Sequence, residues 1–273
     1  MADCDGGCSS CGVQGCGDRT EEQQVATGRK NIKHVYGVLS GKGGVGKSLI
    51  TGLLATSLQR KGYKVGILDA DVTGPCVPRM FGQKPPLTAD QDGINPATTK
   101  SGIKTISVNL MLPEEDMPVA WRGPVINGIL LQFWNEVNWE DLDVLLIDMP
   151  PGTSDVAFTA LGQMDMDGII TVSAPQELVG MIVGKAVNFA KEFEVPVVGL
   201  VENMAYYECD ECGKKHYIYG EPQGEAVCEK YGIGAYTQLP LDPNIASMCD
   251  KGQIEFIEAT ERMQPIIDVL NLD

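Results

Sequence analysis

The stretch that decides the fold reads Gly41-Lys42-Gly43-Gly44-Val45-Gly46-Lys47-Ser48. It fits the pattern G-x-x-x-x-G-K-[ST], in which the backbone N–H groups of a glycine-rich loop turn inward around phosphate oxygens. An apolar run over residues 35–39 precedes the loop, and apolar residues at four-residue spacing follow it as far as Gly62. The pattern predicts a strand, a loop and a helix, with the phosphates at the positive N-terminal end of that helix.

All eight residues of the loop are candidate nucleotide-binding residues, and three of their side chains have distinct roles. Lys47 neutralises phosphate charge, and the hydroxyl of Ser48 can ligate Mg²⁺. Lys42 adds a second cation to the loop, and two interpretations of it are open. It is a solvated surface lysine, or it reaches a phosphate, including that of a neighbouring subunit, and thereby ties nucleotide state to dimer geometry.

Composition narrows the class of protein. The chain has 273 residues, of which 43% are apolar, so it can bury a substantial core. Its formal net charge of -16 argues against nucleic acid or an anionic membrane as a partner, because both require a basic face. An apolar run of about 18 residues and a signal-peptide pattern are both absent from the sequence, so we expect a cytoplasmic protein. There, the nine cysteines are expected to be metal ligands or buried thiols rather than disulfides.

The order of patterns along the chain predicts one ATPase-sized domain preceded by an extension. Residues 1–31 lack apolar periodicity, so we expect order there only where cysteines impose it. Residues 32–273 alternate strand-like and helical patterns, which predicts an α/β fold with a doubly wound, mostly parallel sheet. The predicted strands cover residues 35–39, 64–68, 103–108, 144–147, 168–173 and 195–201. The predicted helices cover residues 48–61, 125–137, 156–164, 178–193, 225–231 and 257–270.

Acidic residues follow two of the predicted strands, at the edge where such sheets bind ligands. Asp69 and Asp71 follow the second strand, and Asp148 follows the fourth. A phosphate-loop enzyme needs a carboxylate for Mg²⁺ or its waters, which suits Asp148, and another group that orients the attacking water, which suits Asp71. Asp69 would support the water shell of the metal. Pro150-Pro151-Gly152 forces a turn that could move when the γ-phosphate leaves, and Asp155 is expected to cap the next helix.

The pair Cys209-x2-Cys212 follows the last predicted strand. Its two thiolates can chelate one metal centre, and two copies of the chain about a two-fold axis would supply four. Spacing leaves iron-sulfur and zinc open, with His216 downstream giving zinc some support, and a redox pair is a third alternative. Three isolated cysteines are expected to be buried small hydrophobic residues: Cys76, Cys228 and Cys249.

Four further cysteines lie in the extension as Cys4-x3-Cys8-x2-Cys11-x4-Cys16. They offer enough thiolates for a complete site without a partner. All-thiolate ligands in a short glycine-rich segment favour a [4Fe-4S] cluster, whereas zinc ribbons pair two well-separated C-x-x-C knuckles. The remaining alternative is a disordered tail whose cysteines oxidise and bind no metal.

Several longer motifs occur in a fixed order over about residues 32–255. They are Val38-Leu39-Ser40 with the loop, Asp69-Ala70-Asp71-Val72-Thr73-Gly74-Pro75, Trp121-Arg122-Gly123-Pro124, Asp148-Met149-Pro150-Pro151-Gly152-Thr153-Ser154-Asp155, Glu202-Asn203-Met204 and Cys209-x2-Cys212. Together they closely resemble the Mrp/ApbC family of nucleotide-binding iron-sulfur scaffolds. That family lies within the MinD/ParA group of P-loop NTPases with a deviant Walker A motif.

The resemblance implies an ATP-hydrolysing homodimer that assembles or carries an iron-sulfur cluster and passes it to apoproteins; a heteromer with a related ATPase is also open. The family's extra loop lysine corresponds to Lys42 and its phosphate lysine to Lys47. Its magnesium hydroxyl corresponds to Ser48, and its switch aspartates correspond to Asp71 and Asp148.

The resemblance also assigns the base and the cluster. Asn203 matches the asparagine that reads the adenine, and residues 240–243 fall where backbone groups line the base. A bridging [4Fe-4S] cluster across the dimer corresponds to Cys209 and Cys212. The N-terminal cysteines resemble the extension of the scaffold branch, although their spacing departs from it because that branch has a long gap before its second cysteine.

Functions of other classes use related folds. A positioning ATPase of the MinD/ParA type would use its dimer as a membrane or DNA switch, but residues 254–273 have many acidic side chains against Arg262 and lack a basic amphipathic face. An electron donor of the nitrogenase iron protein type would draw on separated cysteines near the switch segments, and the sequence has none between Cys76 and Cys209. A regulatory ATPase with a structural zinc site is the third alternative.

Overall fold

A computed structural model describes residues 31–72, 74, 76–91, 93–112, 123–175 and 179–272 of the chain. The predicted extension lies outside the described residues except for Asn31, and so do its four cysteines, Cys4, Cys8, Cys11 and Cys16. Trp121 and Arg122 of the family motif lie outside them as well. The boundary at residue 31 and the second metal site therefore stay predictions.

The described residues contain eleven strands and eight α-helices. The strands are β1 (Ile32–Ser40), β2 (Val65–Asp69), β3 (Thr88–Asp90), β4 (Gly93–Asn95), β5 (Ala97–Thr98), β6 (Lys104–Ser107), β7 (Leu142–Asp148), β8 (Gly168–Ser173), β9 (Val197–Glu208), β10 (Lys215–His216) and β11 (Ala235–Pro240). The helices are α1 (Lys47–Arg60), α2 (Val77–Met80), α3 (Gly123–Glu136), α4 (Asp155–Gln163), α5 (Val179–Glu192), α6 (Gly224–Tyr231), α7 (Pro243–Asp250) and α8 (Thr260–Ile267). Two short 3-10 helices cover Val108–Leu110 and Ile254–Phe256.

The main sheet has nine strands within the described part of the chain, in the order β10-β9-β8-β1-β7-β2-β6-β5, with β11 also paired to β9. Within this sheet the strands β6, β2, β7, β1, β8, β9 and β11 are all paired in parallel. The short strands β5 and β10, at its two ends, pair antiparallel with β6 and β9. Both the α/β class and the doubly wound, mostly parallel sheet predicted from the sequence are confirmed.

Helices cover both faces of the sheet, which is why its central strands read as continuous apolar runs rather than as alternating ones. In β1, Tyr36 and Val38 pack in the core on the side of α1 and α8, whereas Val35 and Leu39 pack on the side of α3, α4 and α5. The carboxyl ends of β1, β7 and β2 are thus held side by side at one edge of a rigid sheet. No helix of the described residues is long and apolar enough to cross a membrane.

The long helix predicted over residues 257–270 is wrong in its first turn. The structure has a 3-10 helix at Ile254–Phe256, and α8 begins only at Thr260. The guanidinium of Arg60 explains the difference, because it donates 2.7 Å hydrogen bonds to the carbonyls of Glu255 and Ile257, which a continuous helix would use internally.

A second correction concerns the start of α4. Asp155 was expected to cap this helix, but it is the first helical residue, and Ser154 is the cap. The Ser154 hydroxyl accepts a hydrogen bond of 3.3 Å from the backbone N–H of Ala157, which is the usual bond of a serine cap. Asp155 instead places its charge in the first turn, near the positive end of the helix.

Candidate nucleotide and metal sites

The phosphate loop joins β1, in the middle of the sheet, to α1, which begins at Lys47 as predicted. Gly44 and Gly46 have φ angles of 78° and 83°, a left-handed conformation that side chains disfavour. Gly46 occupies the cap position of α1 and offers no side chain to the first turn. The first N–H groups of the helix are therefore not capped by that residue, as binding of an anion requires.

Asp148, at the end of β7, is fully buried and gathers three side chains of α1 around its carboxylate. Its Oδ1 accepts hydrogen bonds from Lys47 Nζ at 2.8 Å and from Thr51 Oγ1 at 2.9 Å. Its Oδ2 accepts one from Ser48 Oγ at 2.5 Å. The structure thus brings together the predicted phosphate lysine, metal hydroxyl and metal carboxylate, and adds Thr51, which the sequence reasoning missed although it lies one helical turn after Lys47.

Asp69 and Asp71 complete an acidic cluster around Lys47. Asp69 lies beside Asp148 in the register of β2 and β7, and its carboxylate accepts hydrogen bonds of 3.1 Å from the Asp71 N–H and from Ser107 Oγ. Lys47 Nζ lies 3.7 Å from Asp71 Oδ2. Ser107 was also missed, because its role depends on β6 lying next to β2 in the sheet.

Burial and the neighbouring charges shift the protonation of this cluster. Burial, followed by the charge of Asp148, raises the pKa of Asp69 well above its ordinary value. Burial alone would lower the pKa of Lys47, but Asp148, Asp71 and Asp69 outweigh it and hold that pKa above its ordinary value. The ammonium of Lys47 is thus held among the carboxylates of Asp148, Asp71 and Asp69.

This set of groups fits Mg²⁺. The hydroxyl of Ser48 and the carboxylate of Asp148 are hard oxygen ligands of the kind that Mg²⁺ binds, and they lie 2.5 Å apart at the phosphate end of α1. A divalent cation there would also offset the charge of Asp148, which after burial is the next cause of the raised pKa of Asp69.

Asn203 lies on β9 and contacts the phosphate loop directly. Its Nδ2 donates a 2.9 Å hydrogen bond to the carbonyl of Val45, and a Cβ atom at Gly46 would lie only 2.3 Å from that nitrogen. Three residues further along β9, the Tyr206 carbonyl accepts a 2.7 Å hydrogen bond from the Leu241 N–H. Asn203 is assigned to the base by family resemblance, and so is the segment over residues 240–243. Asn203 lies on β9, and the segment begins at the end of β11, which is the neighbouring strand.

The remaining loop residues connect the phosphate site to its surroundings. Ser40 Oγ donates a 2.9 Å hydrogen bond to the Lys42 carbonyl, and the Ser40 carbonyl accepts one of 2.8 Å from the Gly152 N–H. The turn after Asp148 is thus tied to the end of β1. Gly41 packs so closely on α5 that a Cβ atom there would lie 2.3 Å from Cγ2 of Ile182. Lys42 itself is half-buried, and its action on a neighbouring subunit remains a prediction.

The cysteine pair lies on a hairpin, residues 207–216, that extends β9 beyond the sheet. Cys209 follows the last residue of β9, its N–H donates a 3.0 Å hydrogen bond to the Lys214 carbonyl, and its carbonyl accepts one of 2.8 Å from the Gly213 N–H. The N–H groups of Glu211 and Cys212, followed by the Cys212 side chain, lower the pKa of the Cys209 thiol. A thiolate with N–H groups aimed at its sulfur is the form that ligates metals.

The hairpin supplies two ligands and not a complete site. Within the described residues, no group of three or more His, Cys, Asp and Glu side chains forms a metal site, so His216 does not join the two thiols. Cys212 is exposed. The other cysteines differ from one another: Cys228 is buried as expected, Cys249 is half-buried, and Cys76 is exposed, so its predicted burial is wrong.

A cavity of about 570 Å³ separates the hairpin from the segment that follows β11. Its lining includes Cys209 and Asp210 of the hairpin, residues 240–244 and Arg262. The cavity therefore lies between the predicted base-lining segment and one of the two candidate metal ligands.

Comparison with known proteins assigns the family. The family model of the NUBPL iron-transfer P-loop NTPases matches residues 31–270. An iron-sulfur cluster carrier protein of Clostridium perfringens is 44% identical over 271 residues, which are 96% of this chain and 92% of that protein. An iron-sulfur cluster carrier protein of Methanococcus maripaludis is 42% identical over 92% of this chain and 89% of its own length.

Solved structures agree with this assignment. A nucleotide-binding protein of Archaeoglobus fulgidus in complex with ADP has a TM-score of 0.76 and 39% identity, and the match covers 84% of this chain and 90% of that one. The cell division ATPase MinD of Pyrococcus furiosus, 18% identical with a TM-score of 0.62 over 86% of this chain and 97% of its own, shares the fold. The resemblance inferred from the motifs is confirmed, and the chain belongs to the family of NUBPL iron-transfer P-loop NTPases.

Proposed function

We propose that this protein is an ATP-dependent iron-sulfur cluster carrier, which holds a [4Fe-4S] cluster between two copies of the chain and transfers it to apoproteins. The observation that carries the proposal is the position of half-buried Cys209 and exposed Cys212, just after the strand whose Asn203 contacts the phosphate loop. Relatives that match nearly the whole chain bear the name of iron-sulfur cluster carrier proteins, which supports the same function.

The nucleotide half of the proposal assigns a role to each group around Asp148. Lys47 turns from Asp148 to the phosphates, which leaves the Asp148 carboxylate and the Ser48 hydroxyl to hold Mg²⁺. The metal would neutralise charge that develops on the phosphates. Asp71 orients the attacking water, and Lys42 places a second positive charge on the phosphates, in the partner subunit of a dimer.

The cluster half of the proposal requires a second chain. Two thiolates from each copy supply the four ligands of a [4Fe-4S] cluster, and a two-fold axis through the cluster relates the copies. The four N-terminal cysteines would hold a second cluster within one chain. The same geometry permits a heteromer with a related ATPase, and a cytoplasmic location also remains a prediction.

Metal and sulfide analysis tests the carrier function. Protein purified without oxygen should contain iron and acid-labile sulfide and absorb broadly in the visible range. Cys209→Ser with Cys212→Ser should remove the bridging cluster, Cys4→Ser with Cys8→Ser should remove only the second one, and Cys249→Ser serves as the control. Stoichiometric zinc without sulfide would reject the proposal in favour of a regulatory ATPase with structural zinc.

Transfer and hydrolysis are tested separately. Incubation of the loaded protein with an apo-enzyme should restore the cluster-dependent activity of that enzyme, whereas failure with intact clusters would favour an electron donor. Lys42→Ala should retain ATP binding but lose hydrolysis or its coupling to the cluster, because its charge acts on the phosphates. Unchanged turnover would make Lys42 a surface lysine.

A further inference from the structure

The hairpin that carries the cysteines continues into an exposed apolar patch, defined here as Tyr217, Ile218 and Tyr219. Their side chains are 37%, 58% and 52% exposed. Each residue from 210 to 220 is exposed, so Cys212 and the patch lie on one unprotected segment, and half-buried Cys209 directly precedes it. Adjacent large apolar side chains in that position are typical of a surface that another molecule covers.

Specific contacts hold the patch next to the cysteines. The ring of Tyr217 packs edge-on against the ring of Tyr206, with 6.3 Å between centroids, and Lys215 Nζ lies 4.1 Å from the centroid of Tyr206. Tyr206 precedes Cys209 by three residues of extended chain, which is about 10 Å. The patch therefore lies close to any metal centre that the hairpin holds, because Tyr206 contacts the patch and is about 10 Å from Cys209 along the strand.

The charges of the hairpin are divided between its two arms. The first arm, residues 208–211, has three carboxylates, and the second, residues 214–216, has two lysines and a histidine. The arms are paired antiparallel, with Lys215 opposite Glu208. If two hairpins face each other about a two-fold axis that runs parallel to their arms, the acidic arm of each lies over the basic arm of the other, and in that orientation the surface is complementary to itself.

We propose that the apolar patch and the two charged arms form the contact surface for a second copy of this chain around the cluster. This inference rests on the proposed function, because an axis through a shared cluster brings the surroundings of each hairpin onto those of its copy. An isologous interface requires one surface that complements itself, and the hairpin combines an apolar centre with opposite charges on its arms. The patch thus positions the second pair of thiolates.

The variant Ile218→Ser with Tyr219→Ser tests the patch, and Phe256→Ser is its control, because Phe256 is an equally exposed aromatic residue on another element, with 59% exposure. Two quantities are measured on the cluster-loaded wild-type protein and on both variants. They are the rate at which a chelator removes iron and the fraction of dimer in sedimentation. The double variant should lose iron at least about tenfold faster and dimerise less, since two large side chains no longer become buried. The control should match wild type.

A charge exchange tests the pairing of the arms. Glu211→Lys and Lys214→Glu, each alone, place like charges opposite one another and should weaken the loaded dimer. An equal mixture of the two variants should restore it as a heterodimer, because a uniformly more basic hairpin then meets a more acidic one. A mixture no better than either variant alone would overturn the pairing of arms.

Three outcomes separate this inference from the function on which it rests. Wild-type protein without sulfide would overturn both. A loaded patch variant that keeps wild-type iron retention and dimer fraction would overturn the interface alone. If that variant also fails to transfer its cluster, the patch is a docking surface for the recipient apoprotein and not for a second copy.

Discussion

The phosphate loop and the cysteine hairpin both contact or extend β9, yet they are built in opposite ways. Around the loop, Lys47 is 6% exposed and Asp148 is fully buried, and each makes several hydrogen bonds or ion pairs within the chain. On the hairpin, every residue from 210 to 220 is exposed. One site is assembled by the folded chain itself, whereas the other offers two thiols to solvent.

The difference indicates which partner each site needs. The buried Asp148 carboxylate and the Ser48 hydroxyl are groups that Mg²⁺ and a nucleotide would use without another protein. Under the proposed function, a second copy would supply the two further ligands that a four-thiolate site needs and would cover the apolar side chains of the hairpin. Nucleotide binding is therefore expected to be a property of the monomer, and cluster binding a property of the dimer.

The largest change in the free energy of unfolding is expected from Lys47→Met, which removes the central charge of the nucleotide site. Loss of the buried ammonium removes the 2.8 Å ion pair of the fully buried Asp148 carboxylate, so the free energy of unfolding at neutral pH should fall by about 3–5 kcal/mol. Urea denaturation without nucleotide measures it. Lys33→Met is the matched control, because Lys33 forms a 2.6 Å ion pair with Asp143 on the surface and its loss should cost far less. Equal losses would mean that the loop is not preassembled.

Gly46→Ala is expected to lower the free energy of unfolding by a smaller amount, about 2 kcal/mol. The left-handed φ of 83° and the contact of a new Cβ with Asn203 Nδ2, at 2.3 Å, both oppose the substitution. In an Asn203→Ala background the contact disappears and only the backbone strain remains, so the same change should cost less. A double-mutant cycle from denaturation curves measures this coupling. Strict additivity would contradict the contact between loop and strand.

Asp69→Asn should stabilise the nucleotide-free protein by about 0.5–2 kcal/mol at neutral pH. A carboxyl with a raised pKa stabilises the fold fully below its ordinary value of 3.8, and this contribution is lost as the pH rises through the folded pKa. Asparagine has nearly the same shape and can still form hydrogen bonds, but it does not ionise and therefore does not lose stability as the pH rises. The variant should thus match wild type at low pH and exceed it increasingly as the pH rises, in unfolding measured at several pH values. A constant difference would contradict the raised pKa.

The smallest effect on folding is expected from Cys209→Ser with Cys212→Ser. Both thiols lie on the exposed hairpin, outside the core, so the midpoint of unfolding of the cluster-free protein should not change measurably. The same double variant should nonetheless lose the bridging cluster completely. A clear fall in the midpoint would show that the hairpin supports the fold, and would end the contrast between the two sites.

Much of the candidate nucleotide site could be predicted because its residues belong to short, recognisable sequence motifs. The loop, the helix that follows it and the selection of Ser48 and Asp148, which the structure brings together, follow from residue types that few other sites need. Thr51 and Ser107 could not be found that way, since a threonine in a helix and a serine at a strand end are common. Their hydrogen bonds to Asp148 and Asp69 depend on which strands lie side by side.

The errors have the same cause. The residue type of Cys76 alone predicts burial, but Cys76 is the exposed cap residue of α2, and its exposure depends on how that short helix packs. The first turn of the helix predicted from residue 257 fails because Arg60, far away in the sequence, binds the carbonyls that the turn would use. β11 was not predicted, since its pattern is stabilised by pairing with β9.

By itself the sequence determined the phosphate loop, the alternation of strands and helices, and the thiol pair, because each depends on residues within one or two turns of chain. Only the tertiary structure decided that Asp148 neutralises Lys47, a contact across 101 residues. It also decided that β9 joins the loop at Asn203 to the hairpin at Cys209. Such contacts arise from the order of strands in the sheet, which is set by the packing of both faces and by no local pattern.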